Sequence, residues 1–79
     1  STQRYLRDLE KLNAAINNRL VRATENLAPN PYSGKPLRGR LKGYYSLRVG
    51  SYRVIYTIEE KNRTVVLRAT GHRGRVYDS

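Results

Sequence analysis

The chain has no cysteine, one histidine and only six carboxylate side chains in 79 residues. Without cysteine there is neither a disulfide framework nor a thiolate metal site. One histidine excludes a His-rich metal centre. Six acids, two of them the neighbours Glu59 and Glu60, are a poor supply for a metal-dependent nuclease, which wants two or three clustered carboxylates. No apolar run approaches the roughly 18 residues of a membrane span, and no signal-peptide pattern opens the chain. A glycine loop for phosphate is missing, and nothing around Ser33, Ser46 or Ser51 resembles a nucleophile turn. The length suits one small core, so residues 1–79 read as a single domain, expected in the cytoplasm and without a membrane partner.

What is abundant is positive charge. Sixteen Lys and Arg give a net charge of +10, and twelve of the sixteen are Arg. Residues 1–25 carry five bases and three acids; residues 26–79 carry eleven bases and three acids, and no acid lies between Asn26 and Ile58. Arginine's planar fork grips phosphate in two places. The excess therefore points to a polyanionic or acidic partner, with a solvated basic surface as the plainer alternative.

Tyr5, Leu9, Leu12, Ile16, Leu20, Ala23 and Leu27 recur at helical spacing. A single helix over 2–28 would run about 40 Å, longer than so small a domain is wide. Two helices are therefore expected, the first capped by Thr2 and the second by Asn13, with Asn17-Asn18 as the other weak point. Pro29 and Pro31 end the helical part. Residues 29–43 read as a basic loop anchored by Leu37 and Leu41.

From Tyr44 the period changes to two, predicting strands 44–49, 52–58 and 64–70. Gly50-Ser51 suits a II′ hairpin turn. It pairs Val49 with Tyr52, Leu47 with Val54 and Tyr45 with Tyr56, all on one apolar face. A second turn at 59–62 pairs Tyr56 with Val65 and Val54 with Leu67. Leu9, Ile16, Leu20, Leu47, Val54, Tyr56, Val65 and Leu67 then form the core. On the opposite face Arg48, Arg53 and Arg68 line up across the sheet, either splaying into water or forming a phosphate-binding row. The basic tail adds His72, Arg73, Arg75 and Tyr77. Arginine, histidine and tyrosine suffice for metal-free RNA cleavage by the 2′-hydroxyl, with no cofactor.

Several runs resemble the RelE/ParE superfamily of toxins from type II toxin–antitoxin modules, over nearly the whole chain. They are Leu6-Arg7-Asp8-Leu9-Glu10-Lys11-Leu12, Lys35-Pro36-Leu37, Leu41-Lys42-Gly43-Tyr44-Tyr45, Leu47-Arg48-Val49-Gly50-Ser51-Tyr52-Arg53-Val54-Ile55-Tyr56, Gly71-His72-Arg73 and Val76-Tyr77. The resemblance implies an α+β fold, a two-helix hairpin packed on one face of a small twisted antiparallel-rich sheet, with a basic concave face for nucleic acid. RelE-like members cut messenger RNA in the ribosomal A site without metal and are inhibited by a cognate antitoxin, with which they can also bind operator DNA. ParE-like members act on DNA gyrase. The RelE pattern carries over to Arg53 at the scissile phosphate, Arg73 at the transition-state charge or leaving group, and Tyr77 as base or stacking platform. Two lysines of some members are replaced by Tyr44 and Ser46. Arg48, Lys42 and His72 are candidate substitutes, and Arg68 and Arg75 candidate phosphate contacts. The strand that usually precedes the first helix is not read in these residues, being either truncated from the sequence or lost from this member, and its absence is expected to leave an open sheet edge. A gyrase inhibitor, a relative that only binds antitoxin and DNA, and an unrelated basic nucleic-acid-binding domain remain the alternatives.

Overall fold

The structure, a computed structural model, describes residues 2–72. Helix α1 spans Gln3–Glu10 and α2 Ala14–Glu25. Both predicted caps are present: the Thr2 hydroxyl accepts from the Tyr5 N–H at 3.2 Å and the Asn13 side chain from the Ile16 N–H at 3.0 Å. Each satisfies a donor that the helix start leaves without a partner. The helix runs through Asn17-Asn18, and the Asn17 amide donates to the Leu9 carbonyl at the end of α1, 3.2 Å away. The break at Asn13 lets both helices lie on a domain whose longest dimension is 33 Å.

A short antiparallel sheet follows, in the order β1-β2-β3-β4. Its strands are β1 Lys35–Pro36, β2 Tyr44–Val49, β3 Tyr52–Glu59 and β4 Thr64–His72. The 29–43 segment is thus more ordered than a plain loop. It holds 3₁₀ turns at Pro31–Ser33 and Gly39–Leu41, and Lys35 and Pro36 pair with Ser46 and Tyr45. Pro36 has no N–H to donate, which suits an edge strand.

The first hairpin has the predicted register, Val49 opposite Tyr52, Leu47 opposite Val54 and Tyr45 opposite Tyr56. Gly50 takes φ +61° at the first turn position, which a II′ turn requires. Val54 lies under the helices in a core with Tyr5 and Leu20, flanked by Leu9, Leu12, Ile16, Leu47, Val49, Tyr52 and Leu67. Tyr56 and Leu27 are also fully buried.

The second hairpin differs from expectation in two ways. Its loop is residues 60–63, one position later, with Glu59 opposite Thr64, Ile58 opposite Val65 and Tyr56 opposite Leu67. Arg63 closes it in the left-handed region at φ +52°. Then a β-bulge beside Ile55 and Tyr56 leaves Arg68 as the extra residue, so Ile55 faces Ala69, Val54 faces Thr70 and Arg53 faces Gly71.

Among the described residues no strand precedes α1. Part of the outer edge of β4 is nonetheless occupied. The Thr2 N–H donates to the Leu67 carbonyl at 3.1 Å, its hydroxyl to the Arg68 carbonyl at 3.0 Å, and the Thr70 N–H donates to the Asp8 carboxylate at 3.0 Å. Arg4 sits 3.5 Å from the same carboxylate oxygen. The edge is therefore less open at Leu67–Thr70 than the sequence suggests.

Two buried tyrosines of this core have opposite hydrogen-bond status. The Tyr56 hydroxyl accepts from the Gly34 N–H at 3.0 Å and donates to the Pro31 carbonyl at 2.8 Å. The Tyr5 hydroxyl has no hydrogen-bond partner among the described residues. Burial raises the Tyr5 pKa, and the nearby Thr24 side chain opposes it in part. Tyr56→Phe should therefore cost about 1–3 kcal/mol by orphaning two backbone groups, whereas Tyr5→Phe should be neutral or stabilising. Melting temperatures of the two variants check this, and equal shifts of the same sign would refute it. Burial raises both phenol pKa values above 10.0. Folding thus favours the protonated forms, so stability is level below pH 10 and falls as pH rises through the higher folded values. Each Phe variant should lose less stability there than the parent.

Candidate nucleic-acid interface

The face turned away from the helices is built by alternation. From β2 it receives Tyr44, Ser46 and Arg48, and from β3 Arg53, Ile55 and Thr57. Arg48 and Arg53 are directly opposite each other, as expected. Two like charges so placed repel, and the structure separates their roles. Arg48 is exposed, with its Nε 3.4 Å from the Gly50 carbonyl. Arg53 is half-buried and its Nη1 donates to the Ser46 hydroxyl at 3.1 Å. Ser46 is 2% exposed, so this contact fixes one arm of the fork from beneath.

The expected row of three arginines is broken by the later turn and the bulge. Arg53 faces Gly71, while the Arg68 Nε donates to the Thr57 hydroxyl at 3.0 Å. Thr57 is four residues along β3 from Arg53, roughly 13 Å at the rise of a strand. Arg68 is therefore on the same face but apart from the Arg48–Arg53 pair.

The bulge also turns the end of β4 over. Thr70 and His72 point to the helix side, where the His72 ring meets Tyr52 edge-on at a centroid distance of 5.8 Å. His72 borders a groove with Arg4, Asp8 and Lys11, on the side of the sheet opposite Arg53. Lys42 is exposed on the loop before β2 and lines a second groove with Arg38 and Tyr44. Arg73, Arg75 and Tyr77 lie outside the described residues.

Between the cations the face is apolar. Ile55 and Ala69 are both 5% exposed, and Leu37 and Tyr44 pack on them. Alternation alone assigns Ile55 to a basic surface. The signal that it is covered was the unbroken run Val54-Ile55-Tyr56, since three consecutive apolar residues in a strand imply burial on both faces. The role of Ser46 beneath Arg53 had no sequence signal of its own. Burial displaces the pKa of Tyr5 and of Tyr56 upward. That is the wrong direction for a base, and both belong to the helix side. Among the described residues no group of three His, Cys, Asp or Glu could hold a metal ion, and no helix is long and apolar enough to cross a membrane.

Comparison with known proteins gives this geometry a context. Residues 1–77 match the family described as ParE toxin of type II toxin–antitoxin system, parDE. The chain is 41% identical over 73 residues to Toxin RelG of Mycobacterium tuberculosis, covering 90% of this chain and 84% of that protein. Among solved structures, the toxin–antitoxin complex RelBE2 of M. tuberculosis contains a chain 40% identical, with a TM-score of 0.83 and 91% of each chain covered. The RelB-RelE antitoxin–toxin complex of Methanococcus jannaschii contains one 24% identical, with a TM-score of 0.74 over 98% of this chain and 93% of that one. The last likeness is one of fold.

Proposed function

The chain belongs to the RelE/ParE family of toxins from type II toxin–antitoxin modules, and within it we propose that it is a ribosome-dependent endoribonuclease cleaving messenger RNA in the A site. The observation that carries this reading is the Arg48–Arg53 pair on the sheet face turned away from α1 and α2, with one fork steadied by a buried serine.

In the proposed reaction the 2′-oxygen attacks the adjacent phosphorus. The P–O5′ bond breaks, leaving a 2′,3′-cyclic phosphate and a 5′-hydroxyl. One proton leaves the 2′-hydroxyl and one reaches the departing 5′-oxygen. Arg53, with Arg48 beside it, neutralises the charge that grows on the phosphate oxygens. We assign Arg73 to the transition-state charge or the leaving group, and Tyr77 to the proton on the 2′-hydroxyl or to stacking on a base. A cognate antitoxin is the proposed partner, since the M. tuberculosis structure above, 40% identical, is a toxin–antitoxin complex. Operator DNA would be bound by that complex.

Gyrase inhibition is the second reading, and one observation favours it. Ser46 is buried beneath Arg53 and Tyr44 packs on Ile55 and Ala69, so neither replaces the cation of a lysine at its position. The two readings separate cleanly. Purified protein on programmed ribosomes should generate new messenger 5′-ends within the A-site codon while gyrase supercoiling proceeds unchanged. Intact messenger with blocked supercoiling would reverse the assignment.

A further inference from the structure

The second groove has chemistry that the Arg48–Arg53 pair does not use. Residues 37–43 leave β1 and return to β2 through two glycines with positive φ, Gly39 at +66° and Gly43 at +94°. A Cβ at either would meet nothing within 4 Å. These glycines therefore serve the path of the backbone, not a close contact. The path is tied at both ends. The Leu37 N–H donates to the Tyr44 carbonyl at 2.9 Å, and the Lys42 N–H to the Gly39 carbonyl at 3.1 Å.

This folded loop leaves a groove of about 320 Å³, lined by Leu37, Arg38, Lys42 and Tyr44 among others. The volume lies at the small end of ligand clefts. Its wall is a half-buried aromatic ring, and its rim carries two exposed cations. No carboxylate among the described residues is paired with Arg38 or Lys42, and the chain has no acid between Asn26 and Ile58. A ring flanked by unneutralised cations is complementary to a nucleobase flanked by phosphates. Position agrees with this. Tyr44 and Ser46 are two residues apart on one face, roughly 7 Å along β2, and Ser46 is in contact with Arg53. A strand held at Arg53 and running along β2 toward its start arrives at Tyr44.

We propose that this groove is a nucleotide subsite for single-stranded RNA, in which one unstacked base lies on Tyr44 and Arg38 and Lys42 hold its flanking phosphates. The inference rests on the RNA reading above and adds a contact surface separate from the proposed cleavage centre. Recognition by stacking tolerates every base and favours those that stack best, so the subsite gives a modest preference and no strict code.

The test is binding, kept apart from cleavage by a short 2′-O-methyl RNA that cannot be cut. It carries a 5′-fluorophore for anisotropy or an internal 2-aminopurine, whose emission is quenched on stacking, and is titrated with the full chain at low salt. Tyr44→Phe keeps the ring and should bind within about twofold of the parent. Tyr44→Leu keeps the packing on Ile55 but loses the stacking face, and should bind roughly 5- to 150-fold more weakly and abolish the quench. The exposed pair Arg38→Gln with Lys42→Gln has no core contact to lose. It should weaken binding and flatten the slope of log K against log salt by about 1.4. Unchanged affinity and salt slope in that pair, or an undiminished quench in a folded Tyr44→Leu, overturns the subsite while leaving cleavage at Arg53 intact. Failure of the parent to bind this RNA at low salt also overturns the subsite, and the A-site assay then decides the RNA reading by itself.

Discussion

Arg53→Ala is expected to slow single-turnover cleavage of A-site messenger by ten- to a thousandfold while the protein stays folded. The magnitude is that of removing one preorganised donor from a site where charge develops. Arg53 is half-buried and held through Ser46, so its charge is less screened than that of a fully exposed arginine and its fork is already oriented. The lost contact to Ser46 should by itself cost about 1 kcal/mol, a melting shift of roughly 4–8 °C. Arg53→Lys separates charge from geometry, because an ammonium is a point charge without the bidentate fork. It should fall between the parent and Arg53→Ala. Arg48→Ala is the internal comparison. Arg48 is exposed and its Nε contact to the Gly50 carbonyl is long at 3.4 Å, so the loss should be smaller. Cleavage that is unchanged in Arg53→Ala, or that falls only as far as the folded fraction falls, would show that the phosphate is held elsewhere.

How far this site was legible in the sequence depends on what each turn demanded. The Gly50-Ser51 turn has one natural solution, because a residue with positive φ must stand first. Everything positioned by that turn came out as read, including Arg48 opposite Arg53 and Val54 under the helices. The stretch Glu59-Glu60-Lys61-Asn62-Arg63 contains neither glycine nor proline. No residue in it pins the loop, and it closed one position later with Arg63 in a region that arginine seldom adopts. A one-place shift of a whole turn moves the register by two and keeps the faces. Tyr56 and Leu67 therefore still share the core side. The bulge at Arg68 then moves it by one and exchanges the faces. The turn shift already takes Arg68 two places from Arg53, and the bulge carries His72 to the helix side. A bulge has no requirement for a particular side chain when its extra residue stays right-handed, so nothing in Leu67-Arg68-Ala69 announces it. The helices were legible because caps and period agree. The strand Lys35–Pro36 was not, because two residues have no period.

Gly34→Ala should be among the most destabilising single-methyl changes available to this chain, about 2–4 kcal/mol, although Gly34 has an ordinary φ of −74°. The reason is occupancy. A Cβ built there collides with the Tyr56 hydroxyl and stands 3.0 Å from two of the ring carbons. The ring cannot swing away easily. Tyr56 is fully buried and stacked on Tyr45 at 5.4 Å, and Tyr45 is in turn met edge-on by Tyr32 at 6.0 Å. Overpacking costs about 1–3 kcal/mol, and displacing the hydroxyl from Gly34 and Pro31 adds roughly 1 kcal/mol for each bond lost. Gly39→Ala is the control. It meets open space and should cost only the left-handed backbone penalty, about 1–2 kcal/mol. A double-mutant cycle identifies the cause. In a Tyr56→Phe background the oxygen is gone and two hydrogen bonds have already been lost, so Gly34→Ala should cost about 1–2 kcal/mol less than in the parent. Equal costs in both backgrounds would mean that the loop yields and the hydroxyl does not anchor it. The same anchor bears on function, because Pro31 and Gly34 hold the start of the segment that carries Arg38 and Lys42 to the rim of the groove. Gly34→Ala should therefore weaken binding of the uncleavable RNA toward the level of the Arg38→Gln, Lys42→Gln pair at temperatures where the core is still folded.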